Sequence, residues 1–337
     1  MRKLLSLLVA SVLAVSVGAQ AVAAEKSSLE IGYMPIIPVS QAFVTLENGS
    51  LEKAGVTDPE LVKFQNGPAI VQALLGGQLD VAYLGIGPAM VARAKGADIK
   101  VVASDIVEQI SIVALGNLAP YFADGDASTA FARFAKDHGR KPVIATFPTG
   151  SVPETVLQYW LQKQIKANPD DLDIIYQGAA QVQQSLMTGA VDGAAILEPV
   201  VSIVTHKLPE AKVVARGGEL FPHQPGAVLV VREGLIKEHP ELVQSLVAAH
   251  VAATQLLREH PEEAVDMVGK YVGGGRMPKE IVQKALENSK ANFEADPNAI
   301  IDGTREMRDF QKAQGTLKVD LDLNTLFDTS FYDKVSQ

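Results

Sequence analysis

Few residues in this chain have the type and spacing to do chemistry. Ser151 lies in Thr149-Gly150-Ser151-Val152-Pro153, and His223 in Phe221-Pro222-His223-Gln224-Pro225-Gly226. A serine nucleophile on a sharp strand-to-helix turn needs the pattern G-x-S-x-G, which TGSVP does not supply. No third residue completes a triad. Ser151 instead reads as a helix cap in a capping box, its hydroxyl on the amide of Glu154 and the glutamate reaching back. Gly85-Ile86-Gly87, after the apolar run Leu79 to Leu84, begins a dinucleotide fingerprint, with Asp105 about twenty residues on. Met90 holds its third glycine position, and Pro88 removes an amide that would face a pyrophosphate. Of the six histidines, His239 and His260 precede Pro-Glu and read as surface caps. His138, His206 and His250 have no partners at metal-ligand spacing. His223 alone is placed where a ligand could be touched. With no cysteine in the chain, disulfides and thiolate metal sites are excluded. The expectation is a protein without metal or cofactor.

What remains is a chemistry of backbone amides. In Phe64 to Ala94 the sequence predicts a helix opening at Gly67-Pro68, a stop at Gly76-Gly77, a buried strand over Leu79 to Leu84, and a second helix opening at Gly87-Pro88. Both helix starts lie close to strand ends, where free N–H groups and the helix dipole favour an anion without any basic side chain. The pattern recurs 112 residues later. Phe64-Gln65 matches Tyr176-Gln177; Gly77, Asp80 and Ala82 match Gly189, Asp192 and Ala194. Glu198-Pro199 falls within a residue of where Gly87-Pro88 does. Two α/β lobes of one design follow, too few units for a solenoid.

The 337 residues are enough for two cores. Met1 to Ala24 has a basic start, an apolar run from Leu4 to Val17 and a small-residue end at Ala21 to Ala24, the marks of a cleaved export signal. Cleavage after Ala23 or Ala24 fits, and with no cysteine to carry a lipid the mature chain is expected free in its compartment. Losing Arg2 and Lys3 takes the formal charge from −9 to −11. An acidic chain without a basic cluster is a poor partner for nucleic acid or an anionic membrane.

Strands are predicted at Leu29 to Tyr33, Val62 to Phe64, Ile99 to Ala103, Ile110 to Leu115, Val143 to Phe147, Leu172 to Tyr176, Val191 to Ile196 and Lys212 to Ala215. Helices alternate with them, one from about Gln41 capped by Ser40, which argues a mainly parallel sheet in each lobe. Gly226 to Val231 is expected to return to the first lobe beside Ile110 to Leu115. Helices then run over roughly 240–272, 278–293 and 298–314 and pack on lobe 1. The domain reading is an export signal at 1–24, lobe 1 at 25–115 and 223–337, and lobe 2 at 116–222, joined by two hinge crossings.

Five blocks carry a family resemblance: IGYMP, QNGPAIVQALLGGQLDVAYLGIGP, the helix after TGSVPE, TGAVDGAAILEP and VREGLIKEHPELV. From about Leu29 to the C-terminal helices the chain resembles the nitrate/sulfonate/taurine family of periplasmic solute-binding proteins, which serve ATP-driven importers. The resemblance implies the α/β, two-lobed periplasmic-binding-protein fold of type II. It also implies a monomer that captures a small organic anion, sulfonate- or taurine-like, by hinge closure, for a membrane permease and its ATPase. Nitrate, bicarbonate or a pyrimidine precursor is the alternative solute. The family commonly has an aromatic before Glu198-Pro199, where this chain has Leu197. Its usual entry to the second lobe is replaced by Asp137 to Pro142. The pyrimidine synthase of the same fold carries a cysteine-rich motif that is missing here, so a binder rather than an enzyme is expected. Candidate solute contacts are Tyr33, Met34, Gln41, Asn66, Gly67, Gly85, Ile86, Gly87, Gln109, Thr149, Gly150, Ser151, Val152, Glu198, His223 and Gln224.

Overall fold

The structure, a computed structural model, describes residues 28–123 and 125–336. The export signal expected at 1–24 lies outside the described residues. Strand β1 (Ser28–Tyr33) passes through a 3-10 turn at Ile37–Val39 into α1 (Ser40–Glu47), and α2 (Ser50–Lys53) precedes β2 (Asp58–Lys63). Then come α3 (Gly67–Leu75), β3 (Val81–Gly85), α4 (Ile86–Ala94) and β4 (Ile99–Ser104). The middle of the chain forms β5 (Ser111–Ala114), α5 (Pro120–Ala123), α6 (Ala130–His138), β6 (Val143–Thr146) and α7 (Val152–Tyr159). It continues with β7 (Asp173–Tyr176), α8 (Ala179–Thr188), β8 (Gly193–Ile196), α9 (Val200–Lys207) and β9 (Lys212–Arg216). After β10 (Ala227–Arg232) the chain is helical: α10 (Glu233–Glu238), α11 (Pro240–Glu259), α12 (Pro261–Gly269), α13 (Lys279–Ser289), α14 (Ile301–Ala313) and α15 (Ser330–Val335).

Two five-stranded sheets result, in the orders β2-β1-β3-β10-β4 and β7-β6-β8-β5-β9. In each, four strands point one way and one, β10 or β5, runs against them. This corrects the expectation for Ile110 to Leu115. That segment does not stay in the first lobe beside the returning strand. β5 pairs with β8 and β9 of the second sheet, and β10 enters the first sheet between β3 and β4. The reason is geometric. A chain that leaves one sheet at its strand C-termini meets the facing sheet at the same kind of end, so it can only run back down as an antiparallel strand. The second sheet therefore begins by Ser111 rather than at 116. The two crossings, 105–110 and 217–226, bond to each other: Gly226 N–H donates to Ile106 O, Glu108 N–H to Gln224 O and Gly217 N–H to Ile110 O.

The internal repeat occupies equivalent places. Asp80 and Asp192 precede β3 and β8, and each carboxylate accepts the amide of a residue near the start of the adjacent strand, Glu30 at 3.2 Å and Val143 at 2.8 Å. The central strands are apolar throughout, as burial on both faces requires: all of Val81 to Leu84 and Ala227 to Val231 is buried. One helix expected over 240–272 is two, because Pro261 has no N–H to continue α11 and starts α12. Neither His239 nor His260 makes a side-chain cap bond. At α1, Ser40 caps no amide; its hydroxyl donates to Ile37 O. Helices α11 and α12 pack on α1, and α15 on α11 and β4, all in the first lobe. α13 and α14 also touch α9 and α7 of the second lobe.

Candidate functional site

The strand ends of the two sheets face each other, and three helix starts meet there. A Cβ on Gly67 would lie 2.3 Å from Pro88 Cγ, so α3 touches α4 inside the first lobe. A Cβ on Gly85 would lie 2.8 Å from Val152 Cγ2, and one on Gly87 2.9 Å from Gly150 O, so α4 touches α7 across the cleft. Glycine is required by these approaches, not by backbone dihedrals: Gly85 is extended, with φ −64°. Between the three starts lies a cavity of about 20 Å³, lined by Met34, Ile36, Gly67, Gly85, Pro88, Gln109, Phe147, Ser151, Val152, Pro153, Leu197 and Ala227. That is room for little more than one water. The lobes are shut.

Each of these starts places a residue with a free amide directly before a proline: Gly67-Pro68, Gly87-Pro88 and Val152-Pro153. The neighbouring donors are spoken for. Asn66 Oδ1 accepts Ala69 N–H at 3.0 Å and Ser151 Oγ accepts Glu154 N–H at 3.4 Å. Glu154 reaches back one residue further than the capping box predicts, to Gly150 N–H at 3.1 Å, because Ser151 N–H already turns onto Pro148 O. Burial pushes the Glu154 carboxyl up, against the pull of the Gly150 amide. The amides of Gly67, Gly87 and Val152 have no acceptor among the described residues. Three such donors at three helix starts around one small cavity form a concentration of positive potential.

Of the sequence candidates, Met34, Gly67, Gly85, Gln109, Ser151 and Val152 line this cavity, and Asn66, Gly87, Thr149 and Gly150 flank it in the chain. Others are elsewhere. Gln41 is fully buried in the first lobe, its Nε2 on Asp105 O and Thr254 Oγ1. Ile86 points into the core while its amide serves Gly226 O. Tyr33 packs edge-on against Phe43 and Tyr271. Gln224 is buried with its Nε2 on Pro225 O, and His223, at φ 55°, sits exposed with its N–H on Glu108 Oε1. The Glu198 carboxylate turns onto its own helix, accepting from Ser202 N–H and Oγ, and reaches Asn288 Nδ2, all at 2.9 Å. Burial raises its carboxyl in spite of those donors. Sequence reasoning missed Ile36, Pro88, Phe147, Pro153, Leu197 and Ala227 on the cavity wall, and Gln311 beside it.

A family model described as the NMT1-like family matches residues 22–270. The chain belongs to the NMT1-like family. Among its relatives is the bicarbonate transport ATP-binding protein CmpC of a Synechocystis strain, 29% identical over 237 residues, or 68% of this chain and 35% of the relative. The chain thus spans about a third of the length of that relative. The periplasmic nitrate-binding protein NrtA from Synechocystis PCC 6803 superposes with a TM-score of 0.74 at 16% identity, covering 92% of this chain and 88% of that one. The alkanesulfonate-binding protein SsuA from Xanthomonas axonopodis pv. citri, bound to MOPS, does so at 0.71 and 22%, covering 88% and 96%. The two-lobed fold of these periplasmic binding proteins is therefore the fold of this NMT1-like chain.

A larger groove of about 680 Å³ adjoins the crossings of this family member. Gln109 borders both spaces, and Glu198, Arg216, Lys284 and Asn288 line the larger one. Beneath the first crossing, His250 Nε2–H donates to Ser104 O at 2.7 Å, beside the carboxyl of Asp105. Full burial lowers the His250 pKa to about 4, so its ring is neutral at pH 7, and the same burial pushes the Asp105 carboxyl well above the usual carboxylate range.

Proposed function

We propose that this chain is the extracytoplasmic solute-binding component of an ATP-driven importer, capturing a small oxoanion between its lobes by hinge closure. The observation that carries the reading is the meeting of three helix starts with unaccepted amides around a cavity that no lysine or arginine lines. Such a site favours a monoanion by dipole and hydrogen bond, by up to about 2 kcal/mol for each partly buried start. The names of the relatives agree with it, as does the lack, among the described residues, of any helix long and apolar enough to cross a membrane. Capture is stoichiometric, without turnover. The partners are a permease and its ATPase, which would recognise the closed form of a monomer.

Cavity size speaks to the solute. A planar anion of four heavy atoms such as nitrate or hydrogencarbonate needs only a small retreat of Val152. A sulfonate with a carbon tail needs Gln109 to swing aside so that the tail enters the larger groove. The ammonium of taurine finds no free carboxylate in Glu198, which spends its oxygens on Ser202 and Asn288. We therefore place nitrate and hydrogencarbonate ahead of sulfonates. A thermal-shift series on the mature chain tests this, with nitrate, hydrogencarbonate, methanesulfonate and taurine. A solute at a hundred times its dissociation constant adds about 2.7 kcal/mol of stability. Stabilisation by neutral heterocycles alone, or steady product formation from any stabilising compound, would overturn the reading.

A further inference from the structure

A residue beside the site that the sequence did not announce belongs to α14. Gln311 is almost wholly buried. Its Nε2 donates to Thr155 Oγ1 at 2.9 Å, and Thr155 Oγ1 in turn donates to Ser151 O at 2.9 Å. α14 stands on the first lobe, against α4, and Thr155 is on α7 of the second. The bond therefore exists only when the lobes are shut. The same Nε2 lies 2.8 Å from where a Cβ on Gly87 would be, so the amide runs directly over one helix start to reach the cap of the other. Further along the same two helices, the Tyr159 ring lies between Phe221 and Phe310, at 4.0 and 5.2 Å. Its hydroxyl donates to Glu306 Oε1 at 2.5 Å.

We propose that Gln311 is a positioning residue that latches the lobes: it bridges α14 to α7 without touching the solute, and it sets how much of the solute-free protein is closed. Resting on the interlobe site proposed above, this has a direct consequence for affinity. A solute that binds the closed form sees an apparent dissociation constant divided by the fraction already competent, so weakening the latch weakens every solute by the same factor. Nothing about which anion is bound should change.

The chain lacks cysteine, so one exposed cysteine placed in each lobe gives a clean pair of sites for fluorescent labels. Energy transfer between them reads lobe separation with no solute present. Gln311→Ala and Thr155→Val are each expected to lower the solute-free closed fraction, and the double variant no further than either alone, because both remove one bond. Thr155→Ser keeps the hydroxyl and is expected to retain closure. Nitrate and hydrogencarbonate affinities should fall together, by about tenfold, in Gln311→Ala. If Gln311→Ala lowers the melting temperature yet leaves the solute-free lobe distance unchanged, the residue is structural and the latch is refuted. Additive effects of the two single variants would refute it equally. Because the distance measurement uses no solute, it stands or falls independently of whether nitrate is the right anion.

Discussion

The helix starts that follow β3 and β8 occupy the same place in the two copies of the repeat and do opposite things. After β3, Gly85 to Pro88 is bare, and the amide of Gly87 is left facing the other lobe. After β8, Glu198 folds its carboxylate onto Ser202 and plugs the start of α9. The second lobe offers its open start two strand–helix units earlier, at α7 after β6. The counterpart of α7 in the first lobe is the turn after β1, closed because Ile37 N–H donates to Glu198 O. A repeat that kept both copies alike would leave its open starts at equivalent strands. Opening different members sets α4 and α7 against each other, so that both dipoles converge on one small volume. The backbone route is shared, and the choice of which end stays unfilled makes the receptor.

The most damaging way to break this arrangement is at the bare start. Gly87→Val puts side-chain atoms where Gly150 O and Gln311 already stand, and overpacking of this kind costs about 1–3 kcal/mol. Anion affinity measured by calorimetry should fall by up to about a hundredfold. The solute-free melting temperature should fall as well, since Gln311 stands on the same lobe as Gly87, whereas Gly150 meets the new side chain only on closure. Retention of affinity would mean that the solute does not sit between α4 and α7.

The repeat's aspartates sharpen the comparison on the stability side. Burial alone would raise the Asp192 carboxyl, but Arg140, the Val143 amide and Asn117 together hold it below the usual range. Both oxygens take an Arg140 N–H at 2.7 Å. Asp192→Asn should cost about 2 kcal/mol at neutral pH, by loss of charge-assisted bonds. Its folded pKa is depressed, so that stabilisation is present above the unfolded carboxylate pKa of about 3.9 and is lost as pH falls through the folded value. Denaturant melts of parent and variant should therefore converge in acid. A gap that persists there would assign the effect to packing.

The smallest effect is expected at the plugged start. Glu198→Gln should leave the affinities for nitrate and for taurine within about threefold of the parent, because neither oxygen faces the small cavity. Selective loss of taurine binding would return Glu198 to the site as the reader of an ammonium group.

Local signals carried most of the fold and roughly half of the site. Gly-Pro pairs, the stop at Gly76-Gly77 and the apolar runs locate α3, β3 and α4 because each depends on a few adjacent residues. The lobe of β5 is not legible locally, because strand pairing is decided by the partner sheet, and Ile112 to Ala114 is equally apolar in either. Gln41 looked like a site residue from its position after β1. Its amide instead satisfies Asp105 O and Thr254, from segments far away in the chain. Gln311 had no local signal whatever: its role comes from α14 crossing to α7, and a glutamine on a polar helix otherwise resembles any surface residue. Glu198 could have been either cap or contact on sequence grounds, and only the positions of Ser202 and Asn288 decide.

The first sheet's fourth position also dictates an order of assembly. Everything the second sheet needs lies in one uninterrupted stretch, β5 to β9, whereas the first cannot join β3 to β4 until β10 has been made. As the chain emerges from its N-terminus, the inserted lobe has its full complement of strands first. Until β10 arrives, the earlier-made half must hold two apolar strand edges open, each a template for wrong pairing. The strand that closes that gap leads directly out of the second crossing. The joint on which the lobes swing is thus set in the same step that makes the first lobe whole, and a chain truncated before Ala227 would present a finished second lobe tethered to an unfinished one.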